Sequence, residues 1–335
     1  QLEQLWHVSN LYYNEPAVQL AVELTECSFA ERVFFCNSGS EATEAAIKLA
    51  RKAASRTRSP DQRTIITFEG GFHGRTLAAV TATAQPKYHE GFEPLPGGFR
   101  YCAFNDIAAL NAAFDDTIAA VLVEPVQGEG GVVPAAPGFL QHVRKLCDER
   151  GALMIADEVQ CGLLRTGKLW AHQWEDNVLP DVMTLAKALG GGLPLGAMLV
   201  GNAVADILAP GSHGSTFGGN PVVCAGARVA LHLAQRPALV GNVAHQGGRL
   251  RGALETLATQ TGLFSNIRGR GLMLGAQMAD EHSEQLGALV DQCREAGLIV
   301  LTAGGNTLRF LPPLTIDDDT MDEAIERLET AVKRL

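Results

Sequence analysis

No stretch of this chain approaches the ~18 consecutive apolar residues that a membrane-crossing helix needs, so neither a spanning helix nor a membrane partner is expected. There is no basic run either. Lys+Arg is 27 against Asp+Glu 37, a net charge of −10, which argues against nucleic acid as a partner while leaving room for a locally positive site. The seven cysteines are odd in number and form no CxxC, which excludes a zinc-knuckle spacing and argues against a disulfide framework. They read as small hydrophobes of a reduced, cytoplasmic protein, and nothing completes a metal site around any histidine. Signal-peptide and transit-peptide patterns are missing from the start, as is Met, so the sequence is expected to begin inside a longer protein. Internal repeats and low-complexity tracts are absent too. What the chain does have is bulk. It has 335 residues, 46% of them hydrophobic, enough for one large domain and a smaller one.

Short β-rich runs alternate with helical patterns. Residues 32–36 read as a strand and 37–41 as a turn, followed by a helix with Ala42, Ala45, Ala46, Leu49, Ala50 and Ala53 on one face. Strands are expected again over 64–68 and 119–123, the latter ending at Glu124. A helix bearing Phe139, Leu140, Val143, Leu146 and Cys147 leads through Gly151 into a strand that ends at Asp157. This alternation indicates an α/β sheet with mostly parallel strands. Ligands of such sheets sit outside the carboxyl ends of the strands. The chemistry-bearing residues gather there: Ser38 to Ser40, Phe72, Glu124, Asp157 and Lys187. After Pro221 an Ala-rich helical stretch runs to about Ala234, and helices with short strands follow, including 271–275 and 307–311. The expected division is a remnant of an opening segment at 1–12, a large α/β domain over 13–225 and a small α+β domain over 226–335.

Two segments are informative only as a pair. In 153–160 an apolar run ends in Asp157-Glu158-Val159-Gln160, and in 181–192 another ends in Lys187 before three glycines. A carboxylate and an amine at neighbouring strand ends suit pyridoxal 5′-phosphate (PLP): the lysine forms a Schiff base with the aldehyde and the acid holds a proton on the ring nitrogen. The apolar flanks favour a desolvated lysine with a lowered pKa. A buried ionised Asp157 needs a cationic partner, and the pyridinium is one; the plain alternative is a solvated loop at 157–158. Val159 would pack on one ring face, Phe72 on the other, and Gln160 would reach the phenolic oxygen. The 37–41 turn offers glycine, hydroxyls and free helix-start N–H groups to a phosphate, or is an ordinary cap with Ser40 as N-cap. Arg75 could fork a substrate carboxylate or be a surface arginine; His73 reads as orienting or structural. The glycine-rich 214–221 is an anion-binding candidate, weak by itself. Glu129 and Arg309 are gate candidates that could equally be structural.

Taken together, these residues closely resemble the class III, ω-amino-acid branch of the PLP-dependent aminotransferases, over stretches 37–51, 72–76, 124–131, 157–167, 184–196 and 214–221. Segments 81–88, 95–99 and 307–314 resemble the branch that acts on N-acetylornithine. The resemblance implies a fold-type I transferase, with a mostly parallel seven-stranded sheet, working as a homodimer with shared active sites. It implies Lys187 as Schiff-base lysine, Asp157 on the pyridinium, Gly39 and Ser40 on the phosphate, and Phe72 on the ring. Thr216 would reach the phosphate of the neighbouring subunit's cofactor. Arg75 and Ser215 would contact the amine substrate's α-carboxylate end, and Arg309 the α-carboxylate of glutamate or 2-oxoglutarate, masked in turn by Glu129. The implied reaction is transamination of N2-acetyl-L-ornithine with 2-oxoglutarate. Related ω-amines (N-succinylornithine, N-succinyl-diaminopimelate, ornithine, 4-aminobutyrate), a decarboxylase, mutase or racemase on the same fold, and a non-catalytic PLP binder stand as alternatives. Thr43 and Cys161 depart from the family's usual Asn and small residue, and the family's opening segment is absent.

Overall fold

Strands buried on both faces need no polar alternation, and Ile118–Val123, with every residue buried, shows this in the interior of the main sheet. The computed structural model describes residues 1–335. The main sheet holds β1 (Arg32–Cys36), β2 (Thr64–Phe68), β3 (Phe99–Cys102) and β4 (Ile118–Val123). The short β5 (Val126–Gln127) and β6 (Val133–Pro134) pair only with each other as a hairpin, and the sheet resumes with β7 (Leu153–Asp157), β8 (Val182–Leu185) and β9 (Gly196–Val200). Its order is β1-β9-β8-β7-β4-β2-β3. The five strands from β8 to β3 run parallel, whereas β9 is antiparallel to both its neighbours.

Helices α1 (Glu15–Glu26), α2 (Gly39–Ala54), α3 (Leu77–Ala82), α4 (Ile107–Ala113), α5 (Phe139–Arg150) and α6 (Pro221–Ala234) accompany this sheet. The alanine-rich face of α2 lies close against one side, where Ala45, Ala46 and Leu49 join Ile65, Leu122 and Ile155. On the other side Phe139, Leu140 and Val143 of α5 pack with Phe68, Val121 and Met154. Small side chains on α2 let its first turn approach the strand ends. The N-cap is Ser38, not Ser40: its hydroxyl accepts the Glu41 N–H at 3.2 Å, and the Glu41 carboxylate accepts the Asn37 N–H at 2.6 Å.

The chain divides into two compact units, and the division differs from a single cut after residue 225. The first unit takes 1–125, 135–162 and 172–233; the second takes 126–134, 163–171 and 234–335. Long-range hydrogen bonds explain the two excursions. Arg268 Nε donates to the Gly131 carbonyl at 2.7 Å, and the Gly304 N–H donates to the Glu129 carbonyl at 2.8 Å. Arg165 Nη1 donates to the carbonyls of Leu272 (3.0 Å) and Pro312 (2.6 Å). The second unit's own sheet is antiparallel, with β10 (Phe264–Arg270), β11 (Met273–Met278), β12 (Leu301–Ala303) and β13 (Thr307–Phe310) in the order β10-β11-β13-β12. Its helices are α7 (Pro237–Thr261), α8 (Leu286–Glu295) and α9 (Asp318–Lys333).

Close backbone approach under the site depends on Gly196 in β9. A Cβ there would overlap the Ser38 carbonyl oxygen and lie 2.8 Å from Cys36 Sγ. Gly196→Ala is therefore expected to cost about 2–3 kcal/mol of stability through overpacking, read as a lower denaturant midpoint with unchanged slope. An unchanged midpoint would show that β9 and the 37–39 turn separate freely.

Candidate active site

The carboxyl ends of adjacent parallel strands build one cavity of about 330 Å³, entirely within the first unit. Of the residues singled out from sequence, Gly39, Ser40, Phe72, Asp157, Val159, Gln160 and Lys187 all line it. β7 delivers Asp157, 3% exposed. β8 ends at Leu185, and the chain turns through Ala186 so that Lys187 opens a one-turn 3-10 helix with φ +43°. That left-handed conformation crowds the Cβ against the following carbonyl oxygen and costs about 1–2 kcal/mol. The turn lifts Lys187 off the strand. Its side chain is exposed and its amine makes no hydrogen bond, so the enclosed, desolvated lysine expected from the apolar flanks is not what forms.

Asp157 is held on both oxygens. Oδ2 lies 2.7 Å from His73 Nδ1, and Oδ1 accepts the Val159 N–H at 3.1 Å. The buried residue pair answers the expectation that Asp157 needs a cation, with a partner 84 residues away that the sequence did not assign to it. Burial alone would push the His73 pKa down. The hydrogen bond to Asp157, its charge and that of Glu124 outweigh this and hold the pKa above the ordinary histidine value of 6.5. The solvated-loop alternative for 157–158 also fails: Glu158 is buried, and its Oε1 is 2.6 Å from His172 Nδ1 and accepts the His172 N–H at 2.9 Å. No local pattern flagged His172, because only the fold brings it to Glu158.

Glu124, at the end of β4, accepts the Phe72 N–H through Oε2 at 2.9 Å and so anchors the loop that carries Phe72 and His73. At the α2 end, a Cβ on Gly39 would meet Val159 Cγ1 at 2.8 Å, so only glycine lets the helix start sit this close to the Asp157 turn. Gly74, φ +136°, allows the next loop to cross Ser40. The first turn of α2 thus faces the cavity with backbone N–H groups, a favourable place for an anion.

Other expected residues lie elsewhere. Arg75 is exposed beyond the cavity lining; its N–H donates to Ser40 Oγ at 3.2 Å and its guanidinium makes no hydrogen bond. Ser215 Oγ accepts hydrogen bonds from Asn37 Nδ2 and the Gly218 N–H, both at 3.1 Å, which ties its loop to the turn before α2. Thr216 is exposed and unpartnered. In the second unit Arg309, 7% exposed, donates to Glu129 Oε1 at 2.5 Å and to the Gly128 carbonyl at 3.3 Å. No cluster of side chains suited to a metal ion is present.

Comparison with known proteins gives the following. A family model described as aminotransferase class-III matches residues 1–332. The chain is 57% identical over 334 residues to an acetylornithine aminotransferase of Xanthomonas axonopodis pv. citri, covering 99% of this chain and 82% of that protein. It is 46% identical over 335 residues to a succinylornithine transaminase of Salmonella typhimurium, covering 100% and 82%. Among solved structures, an N-acetylornithine aminotransferase from Stenotrophomonas maltophilia matches with a TM-score of 0.87 at 46% identity, covering 99% of this chain and 83% of that one.

The raised His73 pKa fixes the sign of a pH effect. Stabilisation by protonated His73 is fully present below pH 6.5 and is lost as pH rises through the higher folded-state value. Against His73→Gln, the cofactor-free wild type should be more stable by about 2 kcal/mol at pH 6, with the gap narrowing toward pH 9. Denaturant melts across that range measure it; a gap that stays constant or widens would show that His73 is neutral in the fold.

Proposed function

The chain belongs to the class-III aminotransferases, and from that premise we propose that it moves the δ-amino group of N2-acetyl-L-ornithine to 2-oxoglutarate, yielding N-acetyl-L-glutamate 5-semialdehyde and L-glutamate, a step of arginine biosynthesis. One observation supports the chemistry above the rest: a single cavity joins the Lys187 amine, the His73-paired Asp157 carboxylate and the anion-accepting first turn of α2. Pyridoxal 5′-phosphate fits that donor set, with an anionic end, a basic ring nitrogen and an electrophilic carbon. When bound, it supplies an aldehyde that takes up the amino group and a ring that accepts the electron pair released at carbon.

On this reading Gly39 and Ser40 hold the phosphate, while Phe72 and Val159 cover the ring. Asp157 would hold the proton of the ring nitrogen, and His73, bonded to its Oδ2, orients it. Gln160 faces the phenolic oxygen. Lys187 would hold the cofactor's aldehyde carbon, and its amine, when free, would take the proton from the substrate's δ-carbon as general base and return it as general acid. Arg75, with Ser215, serves the α-carboxylate end of the acylornithine. Arg309 is the fork for the α-carboxylate of the keto acid, and Glu129 occupies that fork while the ω-amine reacts. The acetyl group prevents the product semialdehyde from cyclising on its own α-amine.

The finer parts of the reading have their own support. Exposed Thr216 suits a role at the phosphate of a second subunit. Leu11, Tyr12, Tyr13 and Phe217, all more than half exposed, suit burial in a homodimer. Seven cysteines that form no disulfide suit a cytoplasmic location. The 46% identity to a succinylornithine transaminase makes N2-succinylornithine the rival amine. Glutamate formation from 2-oxoglutarate, measured with acetyl-, succinyl- and free ornithine, separates them: acetylornithine should lead in kcat/KM by about tenfold, the difference of ~1.4 kcal/mol that an ill-fitting acyl group would cost. Equal or faster use of the succinyl compound would reassign the substrate, and no glutamate from any ω-amine would overturn the transaminase reading.

Lys187→Ala should lower turnover by at least ~10³-fold, the scale of lost general acid–base catalysis combined with a lost covalent anchor. Borohydride treatment of the wild-type holoenzyme followed by peptide mapping should mark Lys187; a mark on another lysine would remove it from this role. Arg309→Ala should slow the 2-oxoglutarate half-reaction by about ten- to a hundredfold, as expected for losing a charge-assisted pair, and leave the acetylornithine half-reaction within about threefold. Cofactor absorbance follows each half separately. Equal losses in both would end the Glu129–Arg309 gate.

A further inference from the structure

Arg75 is the one cation proposed above for the amine substrate's carboxylate, yet it is exposed and nothing hydrogen-bonds its guanidinium. What holds it is a ring. Its Cζ lies 4.2 Å from the centroid of Tyr88 and 5.6 Å from that of Phe72. The two rings meet edge to face at 5.7 Å, so a continuous aromatic contact runs from the cavity wall at Phe72 through Tyr88 to the arginine. A guanidinium stacked on a ring face keeps its in-plane N–H groups free, and those are the groups that grip a carboxylate in a two-pronged pair.

Tyr88 is itself firmly placed. It ends the 3-10 turn Pro86–Tyr88, and the residues flanking that turn are tied down. The Gln85 side-chain amide donates to the carbonyls of Gly70 (3.2 Å) and Gly71 (3.0 Å), directly before Phe72. His89 Nε2 lies 2.9 Å from the Val80 carbonyl and 2.7 Å from that of Thr83, at the end of α3. Lys87 places a second cation 4.8 Å from the same centroid, and neither Lys87 nor Arg75 has an acidic partner. Two unpaired positive charges around one ring, in a chain of net charge −10, favour an anionic ligand there.

We infer that Tyr88 is a positioning residue that determines specificity: its ring holds the Arg75 guanidinium as a preformed fork for the α-carboxylate of the amine substrate. The inference rests on the proposed assignment of Arg75 to that carboxylate. Fixing a long, flexible side chain in advance removes ordering that binding would otherwise have to impose.

Calorimetric titration of the holoenzyme with N-acetyl-L-norvaline tests it without turnover, since this compound keeps the acylamino acid end and lacks the δ-amine. Tyr88→Leu should weaken binding about threefold to tenfold, the scale of an exposed cation–π contact plus lost preorganisation. Tyr88→Phe, which keeps the ring, should stay within about twofold. In an Arg75→Ala background Tyr88→Leu should have no further effect. For N-acetylputrescine, which lacks the carboxylate, kcat/KM should be the same in wild type and Tyr88→Leu, and this also guards against a folding defect. If Arg75→Ala weakens norvaline binding but Tyr88→Leu does not, or if Tyr88→Leu acts equally without Arg75, the inference falls while the assignment of Arg75 stands. If Arg75→Ala leaves norvaline binding unchanged, the assignment itself falls, and the inference with it.

Discussion

A carboxyl group buried at the inner end of a strand needs a hydrogen-bond partner on each oxygen, and the first unit is arranged around supplying them. Asp157 sits at 3% exposure. Here the backbone N–H of Val159 bonds one oxygen and the imidazole of His73 the other. Neither contact is incidental to the rest. The Val159 bond closes the turn that aims Val159 and Gln160 into the cavity, and the His73 bond requires the loop after β2 to cross over β4 and come to β7. Removing the charge would loosen both at once, which is why the site's geometry and its electrostatics cannot be separated.

The same packing logic sets the opposite wall. The start of α2 can face the Asp157 turn only because Gly39 leaves space for Val159, because Gly196 leaves space for the Ser38 carbonyl, and because the face of α2 toward the sheet is largely alanine. Lys187 then has to reach the space between these walls from the end of β8. It does so by adopting φ +43° in place of continuing the strand. A strained lysine that makes no hydrogen bond, pointing into a cavity, is the kind of backbone departure that persists where chemistry needs it.

Much of this was legible from the chain. The strand periods, the α2 face and the carboxylate and amine at strand ends follow from local pattern, and local pattern is what a sequence displays. The direction of β9 was not: a strand buried on both faces is uniformly apolar, and that carries no sign of whether it runs parallel to its neighbour. Ser38 and Ser40 are equally good caps by residue type, and the choice is made by Glu41 bonding back to Asn37. The excursions at 126–134 and 163–171 into the second unit were invisible because arginines such as Arg165 and Arg268 decide them by reaching carbonyls about a hundred residues away or more. His73 and His172 carried no label for their acids for the same reason. Pairings across long separations are products of the fold.

Several long-range pairings meet in four consecutive residues, 72–75. The Phe72 N–H is bound by Glu124 from β4. His73 binds Asp157 from β7 through its ring and Thr83 through its N–H. Gly74 supplies a left-handed conformation where a side chain would strike Ser40, and the Arg75 N–H is bound by Ser40 from α2. Phe72, His73 and Arg75 are thus fixed by three different elements, and the four residues present different groups: a ring, an imidazole, a bend and a guanidinium. Glu124 and Asp157 are neighbours in register, since β4 pairs with β7 up to Val123 and Ala156. Two carboxylates so placed would repel if both faced the cavity freely. They do not, because one is committed to a backbone N–H and the other to the His73 imidazole, and both partners come from this one loop. The segment that looks like a short surface motif in the sequence is therefore what separates the two acids into an anchor and a charged site, and a one-residue shift within it would misplace every one of these groups.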